Sequence, residues 1–364
     1  MDKIRLGDIA TLINGDRGKN YPSQADIADE GDIPFVNAGH LNGRSIEFKE
    51  MNYISRDKFN RLSSGKFFKG DVLYCLRGSL GKKAIVKDDV EGAIASSLVI
   101  IRPDYNRIDG DYLMFSLDSP SIKEQLIKAN NGSSQPNLSA ASVREYQIEL
   151  PDLKAQKDVV NKLAKVRTII DSRQHEIDLL DDLIKARFVE MFFDKGYPVL
   201  GWNDVFNTTT GKLDSNAMVE DGEYPFFTCA KEVFRIDKYA FDQEALLLAG
   251  NNAAGKYDVK YYKGKFNAYQ RTYVLGLKQN WSYRLFQYQL EDKLVYLQQQ
   301  SLGGLTKYLT MKILGNLSFI IPPMDKQIEF EQFVRQVDKS KVAVQKSLDE
   351  TQKLFDSLMQ EYFG

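Results

Sequence analysis

Residues 132–160 read GSSQPNLSAASVREYQIELPDLKAQKDVV, and residues 303–331 read GGLTKYLTMKILGNLSFIIPPMDKQIEFE. Laid together without a gap, Gly132 falls on Gly303, Leu138 on Leu309, Pro151 on Pro322 and Gln156 on Gln327. The register runs on to Phe192 and Phe363. A match held at one offset over this length marks an internal repeat. Upstream the match is weaker: Gly31-DIPFVNAGHL against Gly222-EYPFFTCAKE, and Asp71-VLYCLRGSLGKKAIV against Glu244-ALLLAGNNAAGKYDV. Solenoid repeats are much shorter than these units. The order is module, helix, module, helix, an internal dimer within one chain. Residues 1–150 form the first module, 151–195 a central long helix, 196–321 the second module and 322–364 a second long helix.

After Pro151 and Pro322 the apolar period changes. Val159, Leu163, Val166, Ile170, Ile177, Leu180, Ile184 and Met191 alternate by fours and threes, with Arg173 and Arg187 in the same series. The second copy gives Phe330, Val334, Val337, Val344, Leu348, Phe355, Leu358 and Tyr362, interrupted by Lys341 and Thr351. Heptad spacing sustained this long is a coiled-coil seam. Neither stretch holds Pro or Gly before Gly196 and Gly364. At 1.5 Å per residue, ~38 residues make about 57 Å of helix, more than one module can cover. Each helix then needs a partner, and the other helix is the nearest candidate; the bland reading is two ordinary amphipathic helices, each packed on its own module. The packing residues are Leu163, Val166, Ile170, Ile177, Leu180 and Ile184 on one side and Val334, Val337, Val344, Leu348, Phe355 and Leu358 on the other. Antiparallel pairing relates the modules by an approximate two-fold axis.

The modules read differently. Short apolar runs such as Val72-LYC, Ile94-ASSLVII, Ala245-LLLA and Thr272-YVLGL alternate with Gly, Asn and Asp turns. These predict strands. Leu113–Lys128 and Tyr283–Gln300 predict helices at matching places. The fold class is α+β: two β-rich mixed modules with short helices, and two long helices pairing as an antiparallel coiled coil.

Net charge is −1 over 364 residues, mild for a protein that grips a polyanion alone. The distribution is uneven. Residues 1–150 carry 20 basic and 21 acidic side chains, and residues 196–321 carry 14 and 12. The stretch Lys256-YDVKYYKGKFNAYQRTYVLGLK sets six basic side chains against Asp258, with tyrosines and Phe266 among them. Cations contact phosphates, while Asn, Gln and Arg read base edges. In the first module Arg77-GSLGKK and Asn130-NGSSQPN carry similar chemistry. The candidate nucleic-acid contacts are Asn37, His40, Arg77, Ser79, Lys82, Lys83, Ser133, Gln135 and Asn137 in the first module. In the second they are Asn251, Asn252, Lys256, Lys263, Lys265, Tyr269, Gln270, Arg271 and Lys307. A hairpin turn or a packed strand pair is the bland reading of each.

No catalytic constellation emerges. Cys75 and Cys229 are far apart, and His40 and His175 are the histidines. Neither a disulfide framework nor a zinc spacing results. Gly250-NNAAGKY approaches a phosphate-binding loop but places Tyr257 where Ser or Thr must meet magnesium. Pro322-Pro323 is followed by Met324, so the Asn/Asp-Pro-Pro-aromatic signature of amino-methyltransferases is absent. The start, MDKIRLGDIATL, has no signal-peptide apolar stretch, and no run reaches the ~18 apolar residues of a membrane span. The cytoplasm is the expected compartment.

Taken in order, Ile4-RLGDIATLINGDRG, Gly31-DIPFVNAGHL, Val72-LYCLRGSLGKKAIV, Gln135-PNLSAASVREYQIELPDLKAQ and Ile320-IPPMDKQ resemble the specificity subunits of type I restriction-modification enzymes over essentially the whole chain. The resemblance implies two target-recognition domains, each reading half of a bipartite double-stranded DNA site. It implies helices that act as a ruler and dock two methyltransferase subunits, and restriction subunits in the full complex. S-adenosylmethionine, ATP and magnesium then belong to those partners, and this chain does no chemistry and needs no cofactor. Gly211-KLDSNAMVEDGEY departs by being shorter than its first-copy counterpart, so the two modules differ in their loops there. A coiled-coil adaptor without a DNA role, or a standalone nuclease, is the alternative.

Overall fold

A computed structural model describes residues 3–130, 137–253 and 255–364. The chain divides into two compact units, Met1–Gln174 with Lys346–Gly364, and His175–Gln345. Each contains one mixed α+β body and a piece of both long helices.

In the first unit, Lys3–Arg5 pairs antiparallel with Gln147–Glu149 and so ties the chain start to the helix entrance. A four-stranded antiparallel sheet follows in the order Ala10–Asn14, Leu98–Pro103, Val72–Cys75, Lys83–Ile85. A second sheet runs Tyr53–Ile54, Ile33–Val36, Gly92–Ile94, Lys66–Phe67, with Ile33–Val36 parallel to Gly92–Ile94. Val72–Cys75 is buried along its whole length, as its unbroken apolar run requires.

The second unit repeats the entrance: Val199–Gly201 pairs antiparallel with Ser318–Ile320. Here one six-stranded sheet runs Phe206–Thr210, Thr272–Leu277, Phe241–Ala249, Val259–Ala268, Tyr224–Phe227, Phe234–Ile236. Tyr224–Phe227 lies parallel to Val259–Ala268, while the other neighbours are antiparallel. Trp202, Phe206, Phe286 and Phe319 form its aromatic core.

Two expected single helices are each two. Leu113–Lys128 is broken between Gly110–Ser116 and Pro120–Ala129. Ser119 caps the second piece by accepting from the Ile122 amide, and Pro120 occupies its first position, where a missing N–H costs nothing. Tyr283–Gln300 is broken at Lys293 into Tyr283–Asp292 and Leu294–Gln300.

The long helices are Leu153–Phe192 and Met324–Phe363, each of 40 residues. Within each unit they run antiparallel. In the first, Lys162 Nζ donates to the Tyr362 hydroxyl at 3.2 Å and the Arg167 guanidinium lies 4.4 Å from the Phe355 ring centroid. In the second, Lys341 pairs with Asp181, and Arg187 donates to Glu329 at 2.7 Å. Numbers rise on one helix as they fall on the other.

Of the seam residues, Leu163, Ile184, Val334, Val337, Val344 and Phe355 are buried. Val166, Ile170, Ile177, Leu180, Leu348 and Leu358 are half-buried. Past Phe355 the buried side chains are Met359 and Phe363, four residues apart, rather than Leu358 and Tyr362. A helix of 3.6 residues per turn drifts off a strict heptad. At this end it packs on its unit's body instead, with Phe363 5.1 Å from Tyr112.

Candidate nucleic-acid interface

The polar groups are positioned by the anchors that repeat between the units. Leu138 N–H donates to the Leu76 carbonyl at 2.8 Å, and Leu309 N–H donates to the Gly250 carbonyl at 2.8 Å. In both copies a segment just before the long helix is thereby held against the turn that follows a buried strand. A glutamine closes each arrangement. Gln156 accepts from the Asp109 amide at 2.8 Å and donates to the Pro151 and Arg107 carbonyls. Gln327 accepts from the Ser282 amide at 3.0 Å and donates to the Pro322 carbonyl at 2.8 Å. Both glutamines are buried, so these bonds satisfy backbone groups that water cannot reach.

In the first unit the turn is Cys75–Lys82. Gly81 N–H donates to the Cys75 carbonyl and Cys75 N–H to the Lys82 carbonyl. Gly78 and Gly81 have φ of +79° and +76°, which a side chain would resist. Arg77 bridges to Asn137, and both are exposed, as is Ser79. Lys82 Nζ donates to the Ala38 carbonyl at 2.9 Å, which sets the Asn37–His40 turn beside it. Arg77, Ser79, Lys82, Asn37, His40 and Asn137 are therefore brought together. Ser133 and Gln135 lie outside the described residues.

Two of these side chains are committed to the fold. His40 Nδ1 accepts from the Asn37 amide at 3.1 Å, and Nε2 lies 3.3 Å from the Glu50 carbonyl. That pattern suits a neutral imidazole with its proton on Nε2, and burial, with Lys82 nearby, lowers its pKa. Asn37 uses its side-chain oxygen on the Gly39 amide at 2.7 Å. Lys83 departs from the expectation altogether. It is 3% exposed and paired with Asp118, and burial pushes its ammonium pKa down while Asp118 opposes. Lys83 opens the buried strand Lys83–Ile85 with its side chain enclosed, whereas Lys82, just outside it, is half-buried.

In the second unit, Asn251 and Asn252 pair antiparallel with Tyr308 and Lys307. The Lys256 amide donates to Asn252 Oδ1 at 3.3 Å. Gly250 N–H donates to the Arg271 carbonyl at 2.8 Å. Asn251, Asn252, Lys256, Lys307 and Arg271 thus share one neighbourhood. Tyr257 is buried in the core, so the loop resembling a phosphate cradle is a structural turn. Lys263 and Lys265 stand apart from that group. Lys263 pairs with Glu244 at 3.2 Å, and Lys265 lies 4.7 Å from the Tyr239 ring centroid. Gln270 donates to Asp214 at 3.1 Å, and Tyr269 N–H to the Phe227 carbonyl at 2.9 Å. Among the described residues no group of three or more His, Cys, Asp or Glu is placed to hold a metal ion, and no helix is long and apolar enough to cross a membrane.

Sequence reading missed the polar fastenings of the first unit. Arg44 pairs with Asp171 of the central helix. Asp16 is buried and accepts from the Gly18 amide at 2.7 Å and the Ser63 amide at 2.7 Å. Arg44–Asp171 and Asp16–Ser63 join residues far apart in the chain and leave no local pattern.

The family model for the "Type I restriction modification DNA specificity domain" matches residues 1–181 and again 196–351. The Type I restriction enzyme EcoDI specificity subunit of Escherichia coli is 36% identical over 149 residues, 39% of this chain and 32% of that protein. This match thus spans about a third of the curated relative's length. The MjaIX specificity subunit of Methanocaldococcus jannaschii is 22% identical over 90% of this chain and 85% of its own. A type I restriction-modification S subunit from M. genitalium, solved as a crystal structure, has the same fold, with a TM-score of 0.60 at 15% identity over 100% of this chain and 96% of that one.

Proposed function

The chain belongs to the type I restriction modification DNA specificity family, and from that premise we propose that it is the reading component of a restriction-modification complex. Each module, residues 1–150 and 196–321, takes one half of a bipartite double-stranded DNA site. The long helices dock two methyltransferase subunits and, through them, restriction subunits. The chemistry, with its S-adenosylmethionine, ATP and magnesium, belongs to those partners in the cytoplasm, and this chain is non-catalytic.

The observation that carries the reading is the repeated anchor. The Leu138–Leu76 and Leu309–Gly250 bonds fix two polar surfaces in the same way. The side chains on them differ: Arg77, Ser79 and Asn137 in one, and Asn251, Asn252, Lys256 and Lys307 in the other. Two heads mounted alike and furnished differently suit two unlike half-sites. Docking is supported by Ile169, Leu179, Leu183, Val189, Val342 and Leu354, exposed apolar side chains on the long helices.

The test is to co-express this chain with its methyltransferase in a methylation-free host and map methylated adenines. A split motif that vanishes when this chain is omitted is the expected result. No new methylation from a stable complex favours the adaptor reading. Inserting four residues, about one helical turn, near Ile177 is expected to alter the spacer between the half-sites. An unchanged spacer defeats the ruler.

A further inference from the structure

The hairpin that flanks the second unit's polar group carries a side chain for which the fold has no use. Leu302 N–H donates to the Tyr308 carbonyl at 3.1 Å and Tyr308 N–H to the Leu302 carbonyl at 2.9 Å, closing residues 303–307 into a loop. Gly303 has φ of +101°, and a Cβ there would lie 2.2 Å from the Thr306 carbonyl oxygen. The loop is folded back so tightly that glycine alone fits. Leu305 is left at its tip, 95% exposed, whereas the next most exposed leucine among the described residues, Leu179, is 54% exposed. Folding gains nothing from an apolar residue there.

Its surroundings say what covers it. Lys307, two residues on, pairs through its main chain with Asn252, and the Lys256 main-chain amide donates to the side chain of the same asparagine, so two cationic residues stem from the base of this hairpin. Cations and amides gather a polyanion by its phosphates. A leucine projecting among them is covered only by the apolar part of such a ligand, the base stack. Leucine is among the side chains that proteins push between base steps from a groove.

We propose that Leu305 is an apolar wedge that enters a groove of the DNA held by the second module and parts a base step. This rests on the DNA-reading role proposed above. The wedge selects sequence by deformability rather than by hydrogen bonds. Pyrimidine–purine steps unstack most easily, so the second module's half-site contains one at the wedge.

The experiment uses the complex with methyltransferase and a duplex of the mapped motif, with 2-aminopurine placed at successive steps of that half-site. Wild-type protein is expected to raise the fluorescence at one pyrimidine–purine step. Leu305→Ser is expected to abolish the rise and weaken specific binding roughly tenfold, the scale of one lost base contact, while Leu305→Met retains most of both. Because no charge is lost, Leu305→Ser keeps the wild-type salt dependence, whereas Lys307→Gln lowers its slope by about one. Wild-type affinity and fluorescence in Leu305→Ser, or no fluorescence rise at any step, overturns the wedge. So does a Leu305→Ser chain that fails to assemble with methyltransferase before DNA is added, which makes the leucine a protein contact. If the wild-type complex binds no DNA, the reading role falls and takes the wedge with it.

Discussion

Gln156 at the start of the central helix and Gln327 at the start of the second long helix each hold a loop amide and a proline carbonyl, yet the sheets of the two units are not alike. In the second unit, Val259–Ala268 is one ten-residue strand that joins its neighbours into a six-stranded sheet. In the first, the corresponding chain is cut into Lys83–Ile85 and Gly92–Ile94, and two four-stranded sheets result. The second is filled with aromatic rings around Trp202. The first is pinned by charges, with Arg102 forking onto buried Asp71 at 2.7 and 2.8 Å and Lys83 on Asp118. Where the body meets the helices, geometry is kept. Between these fastenings, even the buried sheets and cores are built differently.

Substitutions should separate the two units. Trp202→Ala removes a fully buried ring whose Nε1 donates to Thr208 at 2.9 Å, and is expected to cost about 3–5 kcal/mol. Chemical denaturation with hydrogen exchange should place the loss in the second unit. Arg102→Ala leaves Asp71 buried without its fork and should cost roughly 2–3 kcal/mol, below the range for fully enclosed pairs because Arg102 is half-exposed. Hydrogen exchange is expected to place this loss in the first unit. Gln156→Ala and Gln327→Ala should each cost about 1–3 kcal/mol, with Gln156→Ala the larger loss because it also orphans the Arg107 carbonyl. A negligible loss from either would falsify its role as a fastening.

Acid sharpens the contrast. The Gly18 amide, then those of Ser63 and Ser64 with the Ser63 hydroxyl, hold the Asp16 carboxyl below its ordinary pKa against the cost of burial. A depressed folded-state value means the stabilisation is complete above the unfolded pKa, about 4, and is lost as pH falls through the folded one. Denaturation midpoints measured downward from pH 5 should fall in the wild type, and less in Asp16→Asn. The smallest effect is expected from Lys263→Ala. Its pair with Glu244 is exposed and worth under about 0.5 kcal/mol.

The repeat, the seam and the polar turns were legible because each imposes a spacing: proline and glutamine at the helix entrance, heptads along it, glycines before the cations. What was not legible depends on partners from elsewhere in the chain. Lys82 and Lys83 are alike in sequence, and only burial of the second beside Asp118 separates them. His40 reads as a polar reader until Glu50 and the Asn37 amide claim its nitrogens. The basic run from Lys256 looks like one patch, but Lys263 and Lys265 are drawn off by Glu244 and Tyr239.

If each module reads its own half-site, substitutions in the two modules act on different halves of the methylation motif. Methylated adenines are mapped for complexes carrying the wild-type chain, Arg77→Gln, or Asn252→Asp with Lys256→Gln. Arg77→Gln is expected to relax or shift one half of the split motif and leave the other untouched, and the second variant to do the reverse. Loss of discrimination in both halves from either variant, or in neither half from both, contradicts separate reading by the two modules.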